Sequence, residues 1–334
     1  MKILVVGLGS MGKRRIRNLL KLGYSDIIGF DVRTERRNEV LRKYGINTVS
    51  NPNDAVKKMP QAMIISTPPD HHLKYANIAI KKKVNFFTEL NLFSKDVKQI
   101  IKKTRGKSII AAPSCTMMFH PVVKKLKEVL KKKSIGKPLI IQHHAGQYLP
   151  TWHPWEHYKD FFVSKKETGG ARELIPVELV WLTYLFSDVK SVNANVKKIS
   201  RLDVDIDDTY QILLEFKNNV FGTLVTDVIS IPSFKETKII GERGTLLCNF
   251  KTGTIKISNG GDWKTLKVKM GNVTEGYRGN APPEDLYEEE IKNFLDAIKH
   301  RKKYPHSFQD ELKILRILDA AEISSKKWRK ITLS

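Results

Sequence analysis

A glycine-rich turn near the start of the chain has the spacing of a nucleotide-binding loop. Three glycines follow an apolar run and open an amphipathic helical pattern. Glycines permit a tight turn and close backbone approach, and a helix start offers unpaired N–H groups and a partial positive charge to a pyrophosphate. We therefore expect the turn to bind a dinucleotide rather than to be only a tight strand-to-helix connection. Its residues are Gly7, Leu8, Gly9, Ser10, Met11 and Gly12.

Asp31 ends the second apolar run, nineteen residues after Gly12. A carboxylate at that place accepts hydrogen bonds from both ribose hydroxyls, which favours NAD and repels the 2′-phosphate of NADP. Arg33 follows two residues later and could stack on adenine or reduce the preference for NAD over NADP. We expect NAD as the cofactor, bound in part by Asp31 and Arg33, and we leave NADP open.

A second turn, with the order Thr67, Pro68, Pro69, Asp70, His71, His72, follows the fourth apolar run. A doubly wound sheet opens toward its ligand at the ends of its strands. We therefore expect Thr67, Pro68 and His72 to contribute to the cofactor site. The alternative is a simple turn in which Asp70 caps the following helix.

The elements that must position these residues are predicted by hydrophobic periodicity. Short apolar runs alternate with helical patterns over the first third of the chain, as in parallel βαβ units. We predict an N-terminal Rossmann-type, doubly wound parallel sheet over residues 1–120. Its strands are Ile3–Gly7, Ile27–Asp31, Asn47–Val49, Ala62–Ser66, Val84–Thr88 and Ser108–Ala112, and its helices include Lys13–Leu22, Asp70–Lys82 and one capped by Ser94.

Beyond about Pro121 the pattern changes to alternating runs joined by turn residues, which is typical of antiparallel strands. Two helical patterns then close the chain. We predict an α+β domain over residues 121–334, so the fold class is α/β with two domains. The predicted hairpins are Tyr210–Phe216 with Val220–Val228 and Ile255–Ser258 with Trp263–Val268, and the predicted helices are Pro283–His300 and Ser307–Trp328.

Composition narrows the remaining classes of protein. The only cysteines, Cys115 and Cys248, are far apart, and the adjacent histidines His143 and His144 point to opposite faces of a predicted strand, so we expect no disulfide and no metal site. The N-terminal apolar run is too short for a signal peptide, and we expect a cytoplasmic protein without a membrane partner.

The net charge of +24 raises the alternative of nucleic-acid binding. The lysines, however, are spread in short runs rather than gathered in one arm, and no nucleic-acid-binding motif accompanies them. We therefore interpret them as solvated faces that attract anionic small molecules, and we expect no nucleic-acid partner.

Taken together, the glycine turn, the Thr67–Pro68 and His72 pattern, Glu89 after the fifth strand and the pair Gly169–Gly170 resemble one family over almost the full chain. It is the glucose-fructose oxidoreductase, inositol dehydrogenase and MocA (Gfo/Idh/MocA) family of NAD(P)-dependent sugar oxidoreductases. Residues 146–155 look like a branch associated with sugar and nucleotide-sugar metabolism. The resemblance implies that Glu89 belongs to the cofactor site. It also implies a large, mainly antiparallel open sheet in the second domain and a homo-oligomer, a dimer or a tetramer.

The sequence departs from this family where acid–base chemistry is expected. The family's lysine after the position of Glu89 is Leu90 here, and its aspartate and histidine positions hold Leu174 and Val177. Glu173, which begins a helix, and His153 are the substitutes we favour as catalytic residues, since each could take a hydroxyl proton if its pKa is tuned. The plain alternative for Glu173 is an acid favoured by the helix dipole.

Two functions remain open on this basis. The first is a nicotinamide-dependent oxidoreductase acting on a sugar or nucleotide sugar with a non-standard acid–base set. The second is a catalytically silent relative that binds a dinucleotide as a sensor or as a partner subunit. The expected substrate-binding residues are Asn91, Tyr148, Trp152, Trp155 and Arg172. For the three aromatic residues among them, the alternative is packing in the core.

Overall fold

In the computed structural model, the first part of the chain forms a parallel sheet with helices between its strands. The structure describes residues 1–153, 156–160, 162–272 and 283–333. The strands pair in the order β3-β2-β1-β4-β5-β6, which is the doubly wound Rossmann order. The elements are β1 (Ile3–Val6), α1 (Ser10–Lys21), β2 (Ile27–Phe30), α2 (Thr34–Tyr44), β3 (Asn47–Val49), α3 (Pro52–Lys57), β4 (Ala62–Ile65), α4 (His72–Lys82), β5 (Asn85–Thr88), α5 (Ser94–Thr104) and β6 (Ala111–Pro113).

The central strands of this sheet are buried on both faces. Every residue of β1 and β4 is buried, as expected where helices cover both sides of a parallel sheet. The register pairs Val6 with Phe30 and with Ile65, and Ile65 with Thr88. The residues that follow β1, β2, β4 and β5 therefore leave the sheet at one common edge.

The second part of the chain contains a nine-stranded sheet in the order β14-β13-β12-β11-β7-β10-β9-β8-β15. Its pairs are antiparallel except β10 with β7. The elements are α6 (Pro121–Lys131), β7 (Pro138–Tyr148), α7 (Leu149–Trp152), α8 (Ala171–Phe186), β8 (Val189–Lys197), β9 (Thr209–Phe216), β10 (Phe221–Asp227), β11 (Ile229–Gly241), β12 (Gly244–Asn249), β13 (Thr254–Ser258), β14 (Lys264–Lys267), α9 (Glu284–His300), α10 (Phe308–Lys327) and β15 (Ile331–Thr332).

The chain divides into two units. One contains Met1–Cys115 and Tyr287–Leu312, and the other contains Thr116–Leu286 and Lys313–Ser334. The predicted fold class, a Rossmann-type parallel sheet followed by a large and mainly antiparallel sheet, is confirmed. The domain boundary between residues 120 and 121, and the roles assigned to its two sides, stay predictions.

Most predicted element bounds lie within one or two residues of the observed ones. The exceptions are the starts of α1 and β6, which each differ by three residues, and two helix starts are capped differently from the prediction. Ser94 is the first residue of α5, and Phe93 occupies the cap position that the sequence assigned to Ser94. Asp70 lies inside a short 3₁₀ turn, Pro69–His71, so that His71 rather than Asp70 precedes α4. Within the described ranges, no helix is long and apolar enough to cross a membrane.

Candidate functional site

The glycine turn is shaped so that side chains would not fit at two of its positions. Gly7 has a φ of 87°, in the left-handed region, and a Cβ there would lie 2.6 Å from the carbonyl oxygen of Ser66. A Cβ on Gly12 would lie 1.8 Å from the carbonyl oxygen of Gly7. Helix α1 begins within this turn, at Ser10, with Gly9 at its cap position and no side-chain cap. Its first N–H groups, including those of Ser10 and Met11, therefore suit the phosphates of a dinucleotide.

Asp31 is held in a fixed orientation at the end of β2. Its Oδ2 accepts a hydrogen bond from the N–H of Leu8 at 2.7 Å, and its Oδ1 accepts one from the N–H of Arg33 at 2.8 Å. Each carboxylate oxygen can accept a further bond, so a ribose diol remains a suitable ligand. Arg33 contributes its backbone to this arrangement, while its side chain is exposed.

The turn after β4 presents an unsatisfied hydroxyl. The Thr67 Oγ1 atom is shielded from solvent and has no hydrogen-bond partner in the part of the chain that the structure describes. Such a buried polar atom calls for a ligand or water. Together with the glycine cradle and Asp31, it makes the first unit a fitting site for NAD, with Pro68 beside it in the same turn.

His72 supports this turn from within. It is buried, with Nε2 2.9 Å from the carbonyl oxygen of Thr67 and Nδ1 3.0 Å from Oδ1 of Asn91. Burial lowers the pKa of His72. Since both ring nitrogens face protein oxygens, His72 positions Thr67, and its direct contact with the cofactor stays a prediction.

Asn91, which the sequence assigned to substrate binding, is buried, and its side-chain amide is hydrogen-bonded within the protein. Its Nδ2 donates to Oγ1 of Thr88 at 2.9 Å, and its backbone N–H donates to Oε1 of Glu311 at 3.3 Å. The other oxygen of Glu311 lies 3.0 Å from Nε2 of His306. These bonds explain Asn91 as part of the framework of the first unit, and a contact with substrate remains untested.

Glu89 is locked by an arginine that the sequence interpretation missed. Both of its carboxylate oxygens accept hydrogen bonds from Arg15, and Oε1 also accepts one from the hydroxyl of Ser66 at 3.0 Å. Arg15 is fully buried and also donates to Oε2 of Glu290 at 2.6 Å. Burial opposes the charge of Arg15, but the two carboxylates outweigh it and raise the pKa of the guanidinium.

In the second unit, Glu173 stands in the first turn of α8. It is half-buried, and its Oε2 atom is shielded from solvent without a hydrogen-bond partner among the described residues. Burial raises the pKa of Glu173 to about 8, although a helix start favours an anion. A carboxyl group with a pKa near neutrality is suited to general acid–base chemistry.

Arg172, its neighbour, is directed into an ion pair. Its Nε lies 2.6 Å from Oε1 of Glu322, and its Nη1 donates to the carbonyl oxygen of Glu167 at 3.0 Å. The hydroxyl of Tyr210 donates to the same oxygen of Glu322 at 3.1 Å. The predicted contact between Arg172 and substrate is not tested, and the observed contacts are structural.

The aromatic segment begins where β7 ends at Tyr148, which is half-buried. Trp152 packs against a small apolar cluster, as the core-packing alternative anticipates. The same cluster receives Leu174, one of the positions where the family has a polar residue. Trp155 lies outside the described residues. The cluster consists of Leu149, Val163, Ile206 and Val228.

His153, the second catalytic candidate, is buried, and its Nδ1 lies 3.8 Å from Oε2 of Glu156.

No group of three histidine, cysteine, aspartate or glutamate residues in the described ranges could hold a metal ion.

A buried charged group lies between α8 and the large sheet. Glu178 is fully buried; its Oε1 lies 2.6 Å from Nζ of Lys235, and its Oε2 accepts from Trp181 Nε1 at 2.8 Å and lies 2.9 Å from His143 Nε2. Burial disfavours the ionised form of Glu178, but Lys235 and His143 reverse this and hold its pKa below the usual range. His143 also meets Oγ1 of Thr237 at 2.7 Å, which fixes the ring.

Two family models match this chain. One describes an oxidoreductase family with an NAD-binding Rossmann fold and matches residues 1–108; the other describes the GFO/IDH/MocA C-terminal domain and matches residues 123–247. A myo-inositol 2-dehydrogenase of Thermotoga maritima is 23% identical over 100% of this chain and 98% of its own length.

Solved structures show the same fold at low sequence identity. An oxidoreductase from Agrobacterium radiobacter in complex with NAD+, L-tartaric acid and magnesium has a TM-score of 0.89 and 15% identity, covering 99% of this chain and 98% of its own. A levoglucosan dehydrogenase in complex with NADH has a TM-score of 0.84 and 17% identity, covering 100% and 99%.

Proposed function

Because the chain belongs to the Gfo/Idh/MocA family of NAD-dependent oxidoreductases, we propose that it oxidises or reduces a hydroxyl-bearing carbon of a sugar or nucleotide sugar, with Glu173 as its acid–base residue. The observation that carries the proposal is the half-buried carboxyl of Glu173 and its pKa of about 8. The names of two similar proteins, a myo-inositol 2-dehydrogenase and a levoglucosan dehydrogenase, support a polyhydroxylated substrate.

Bound NAD supplies the acceptor for a hydride. When a secondary alcohol becomes a carbonyl, the carbon loses that hydride and the hydroxyl oxygen loses a proton. Ionised Glu173 takes this proton on a carboxylate oxygen, and in the reverse direction the protonated acid returns it. A pKa of about 8 leaves both forms populated near neutrality, so the residue serves either direction.

The first unit contributes binding and orientation. The N–H groups at the start of α1 donate hydrogen bonds to the phosphates, and Asp31 accepts hydrogen bonds from the ribose hydroxyls. Thr67 offers a hydroxyl that has no hydrogen-bond partner among the described residues. Arg15 donates to both carboxylate oxygens of Glu89 and fixes its side chain, so Glu89 serves here as an acceptor of hydrogen bonds.

Glu173→Gln tests this assignment. The variant keeps the shape of the side chain but cannot ionise, and we expect kcat to fall by about 100-fold to 10,000-fold while the Kd for NAD+ is unchanged. The control is Glu167→Gln, at an exposed carboxyl in the segment before α8, which should leave kcat unchanged. Wild-type turnover in Glu173→Gln would overturn the role of Glu173.

The second candidate is a catalytically silent relative that binds the dinucleotide as a sensor or as a partner subunit. The observation in its favour is the apolar character of three positions, with Leu174 packed onto the apolar cluster and Leu90 and Val177 half-buried. Under this alternative, Leu90→Lys leaves turnover at zero. Turnover gained by Leu90→Lys counts against it.

We further propose a homodimer or homotetramer for this chain. Large apolar side chains stand exposed on strands of the nine-stranded sheet, which supports an association through the second unit. They include Leu213, Phe221 and Ile231. Sedimentation of the purified protein at micromolar concentration should give an assembly mass of two or four chains, and a monomer would contradict the proposal.

A further inference from the structure

Basic side chains gather at the edge of the parallel sheet that lies opposite the cofactor residues. Helices α4 and α5 start where β4 and β5 end and run back along the sheet, so both helices end at the edge where the strands begin. The two helices are neighbours, because Nζ of Lys103 in α5 donates to Oδ1 of Asn77 in α4 at 2.8 Å. We call the exposed cations at these helix ends the amino-edge cluster, which consists of Lys81, Lys82, Lys83, Lys102, Arg105 and Lys107.

The amino-edge cluster lacks acidic partners. Within the described part of the chain, none of its six members forms an ion pair with a carboxylate. The only acids between residues 71 and 107 are Glu89 and Asp96. Glu89 lies at the opposite edge of the sheet and is paired with Arg15. Asp96 lies in the first turn of α5, about 9 Å along the helix axis from Lys102. The positive charge of the cluster is therefore available to an external anion.

The stability of the helices explains only part of the cluster. The helix dipole favours cations in the last turn, which accounts for Lys81, Lys82 and Lys102. Lys83 follows α4 with a φ of 57°, in the left-handed region, where glycine is the usual residue and a side chain is strained. Gly106 adopts this conformation after α5. A lysine at a position that glycine would fill without strain indicates a use for its charge.

The chemistry of the cluster fits the phosphate backbone of a nucleic acid. Double-stranded DNA carries one negative charge per about 1.7 Å of its axis, and lysine or arginine side chains that neutralise phosphates release bound counterions. A lipid surface also attracts cations, but helices that bind at such a surface place exposed apolar side chains beside them. No large apolar side chain is exposed between residues 60 and 138, all of which the structure describes. Nucleic acid is therefore the favoured partner.

We propose that the amino-edge cluster binds the phosphate backbone of a nucleic acid without sequence preference, as a second binding activity of this chain. Lysine and arginine donate charge-assisted hydrogen bonds to phosphate oxygens, and such contacts carry no sequence information. The separation of the lysine runs in the sequence is the reason to expect no nucleic-acid partner, and the fold removes that reason by placing two runs side by side. Because the cofactor residues lie at the opposite edge of the sheet, the two ligands need not compete.

Fluorescence anisotropy with labelled oligonucleotides tests the proposal on the full chain. The probes are two DNA duplexes of different sequence and one single-stranded RNA, each about 20 nucleotides long and titrated between about 50 and 200 mM salt. We expect equal affinities for the two duplexes, in the micromolar range at the lower salt concentration. Affinity should fall steeply with salt, with a slope of about −5 for log K against log salt if all six cations contact phosphates.

Two triple variants with the same change in net charge locate the binding surface. In Lys81→Gln/Lys102→Gln/Lys107→Gln, we expect the affinity for the duplexes to fall by about 10-fold or more and the salt slope to become smaller by about 3. The control variant should change the affinity less than about threefold, since distant charges are screened. Urea unfolding checks that both variants fold as the wild type does. The control replaces with glutamine three exposed lysines on strands of the nine-stranded sheet, Lys238, Lys256 and Lys264.

Several outcomes would overturn the proposal. They are equal losses of affinity in the two triple variants, wild-type binding that does not weaken with salt, and no binding of any oligonucleotide at about 50 mM salt. Vesicles containing phosphatidylserine are the remaining probe. If the wild type binds these vesicles but no oligonucleotide, the partner is a lipid surface and the proposal is wrong. None of these measurements requires turnover or bound NAD+, so the result is independent of the proposed function.

Discussion

Arg15 and Glu89 are joined by two parallel hydrogen bonds, from Nε to Oε1 at 2.7 Å and from Nη2 to Oε2 at 2.8 Å. This pair connects α1, the helix that begins within the glycine turn, to the residue that follows β5. The same guanidinium reaches Glu290, whose Oε1 accepts from the backbone N–H of Cys115 at 2.6 Å. One arginine therefore fixes three segments of the first unit around the edge where the cofactor residues gather.

Replacing Arg15 should destabilise the first unit strongly. In Arg15→Met the carboxylates of Glu89 and Glu290 lose their shared cation, and Glu290 is fully buried. We expect the free energy of unfolding to fall by about 3–5 kcal/mol in urea titrations. Lys13 lies on the same helix as Arg15 and forms a partly exposed ion pair with Glu39 of α2. Lys13→Met should cost less than about 1 kcal/mol. Similar losses in both variants would contradict the structural role of Arg15.

The glycine turn can be tested by adding one methyl group. Gly12→Ala places a Cβ against the backbone of Gly7, so the turn must shift, and overpacking of this kind costs about 1–3 kcal/mol. We expect weaker binding of NAD+ in calorimetry together with a lower free energy of unfolding. Gly261→Ala should change neither, because no described residue other than its chain neighbours lies within 4 Å of the new Cβ. Unaltered NAD+ binding in Gly12→Ala would place the cofactor elsewhere.

Glu173 should leave a signature in the pH dependence of stability. Its folded pKa of about 8 lies above the ordinary value of 4.5, so between these values the folded protein holds a proton that the unfolded chain releases. The contribution of Glu173 to the free energy of unfolding is therefore fully present below pH 4.5 and is lost as the pH rises toward 8.

Comparison with Glu173→Gln isolates this contribution. The difference in free energy of unfolding between wild type and variant should move against the wild type between pH 5 and pH 8, the window that the pKa of Glu173 sets. Chemical unfolding at several pH values measures it. A difference that does not change with pH would show that the carboxyl has an ordinary pKa.

The buried charges under the large sheet give a prediction for the second unit. Lys235→Met removes the cation 2.6 Å from Glu178, which is fully buried, and we expect a loss of about 3–5 kcal/mol in the free energy of unfolding. Adding Glu178→Gln to that variant should recover part of the loss, since it removes the uncompensated charge. Lys190→Met, at an exposed lysine paired with Glu215, is the control and should cost below about 1 kcal/mol. An unchanged free energy of unfolding in Lys235→Met would contradict this role for the ion pair.

The sequence predicted the fold and the local part of the site because both depend on short-range spacing. Gly7, Gly12 and Asp31 are recognisable from one βαβ unit, and the hydrophobic alternation located the strands. The cap of α5 differs from the prediction because the hydroxyl-bearing Ser94 begins the helix itself. Sequence preference alone cannot distinguish a cap from the first residue of a helix.

The remaining site features depend on tertiary contacts. Arg15 and Glu290 are separated by 275 positions, and an arginine within a basic stretch resembles a solvated face. Glu173 was identifiable by type and place, but its raised pKa depends on burial.

Hydride transfer is the central claim, and the absorbance of reduced nicotinamide measures it directly. Purified protein is mixed with NAD+ or NADH and a panel of sugars, cyclitols, their keto forms and nucleotide sugars, with Glu173→Gln in parallel. The account predicts an absorbance change with at least one member of the panel, abolished in Glu173→Gln although NAD+ binding persists. Intact NAD+ binding without any absorbance change in either direction would contradict it and favour the catalytically silent relative.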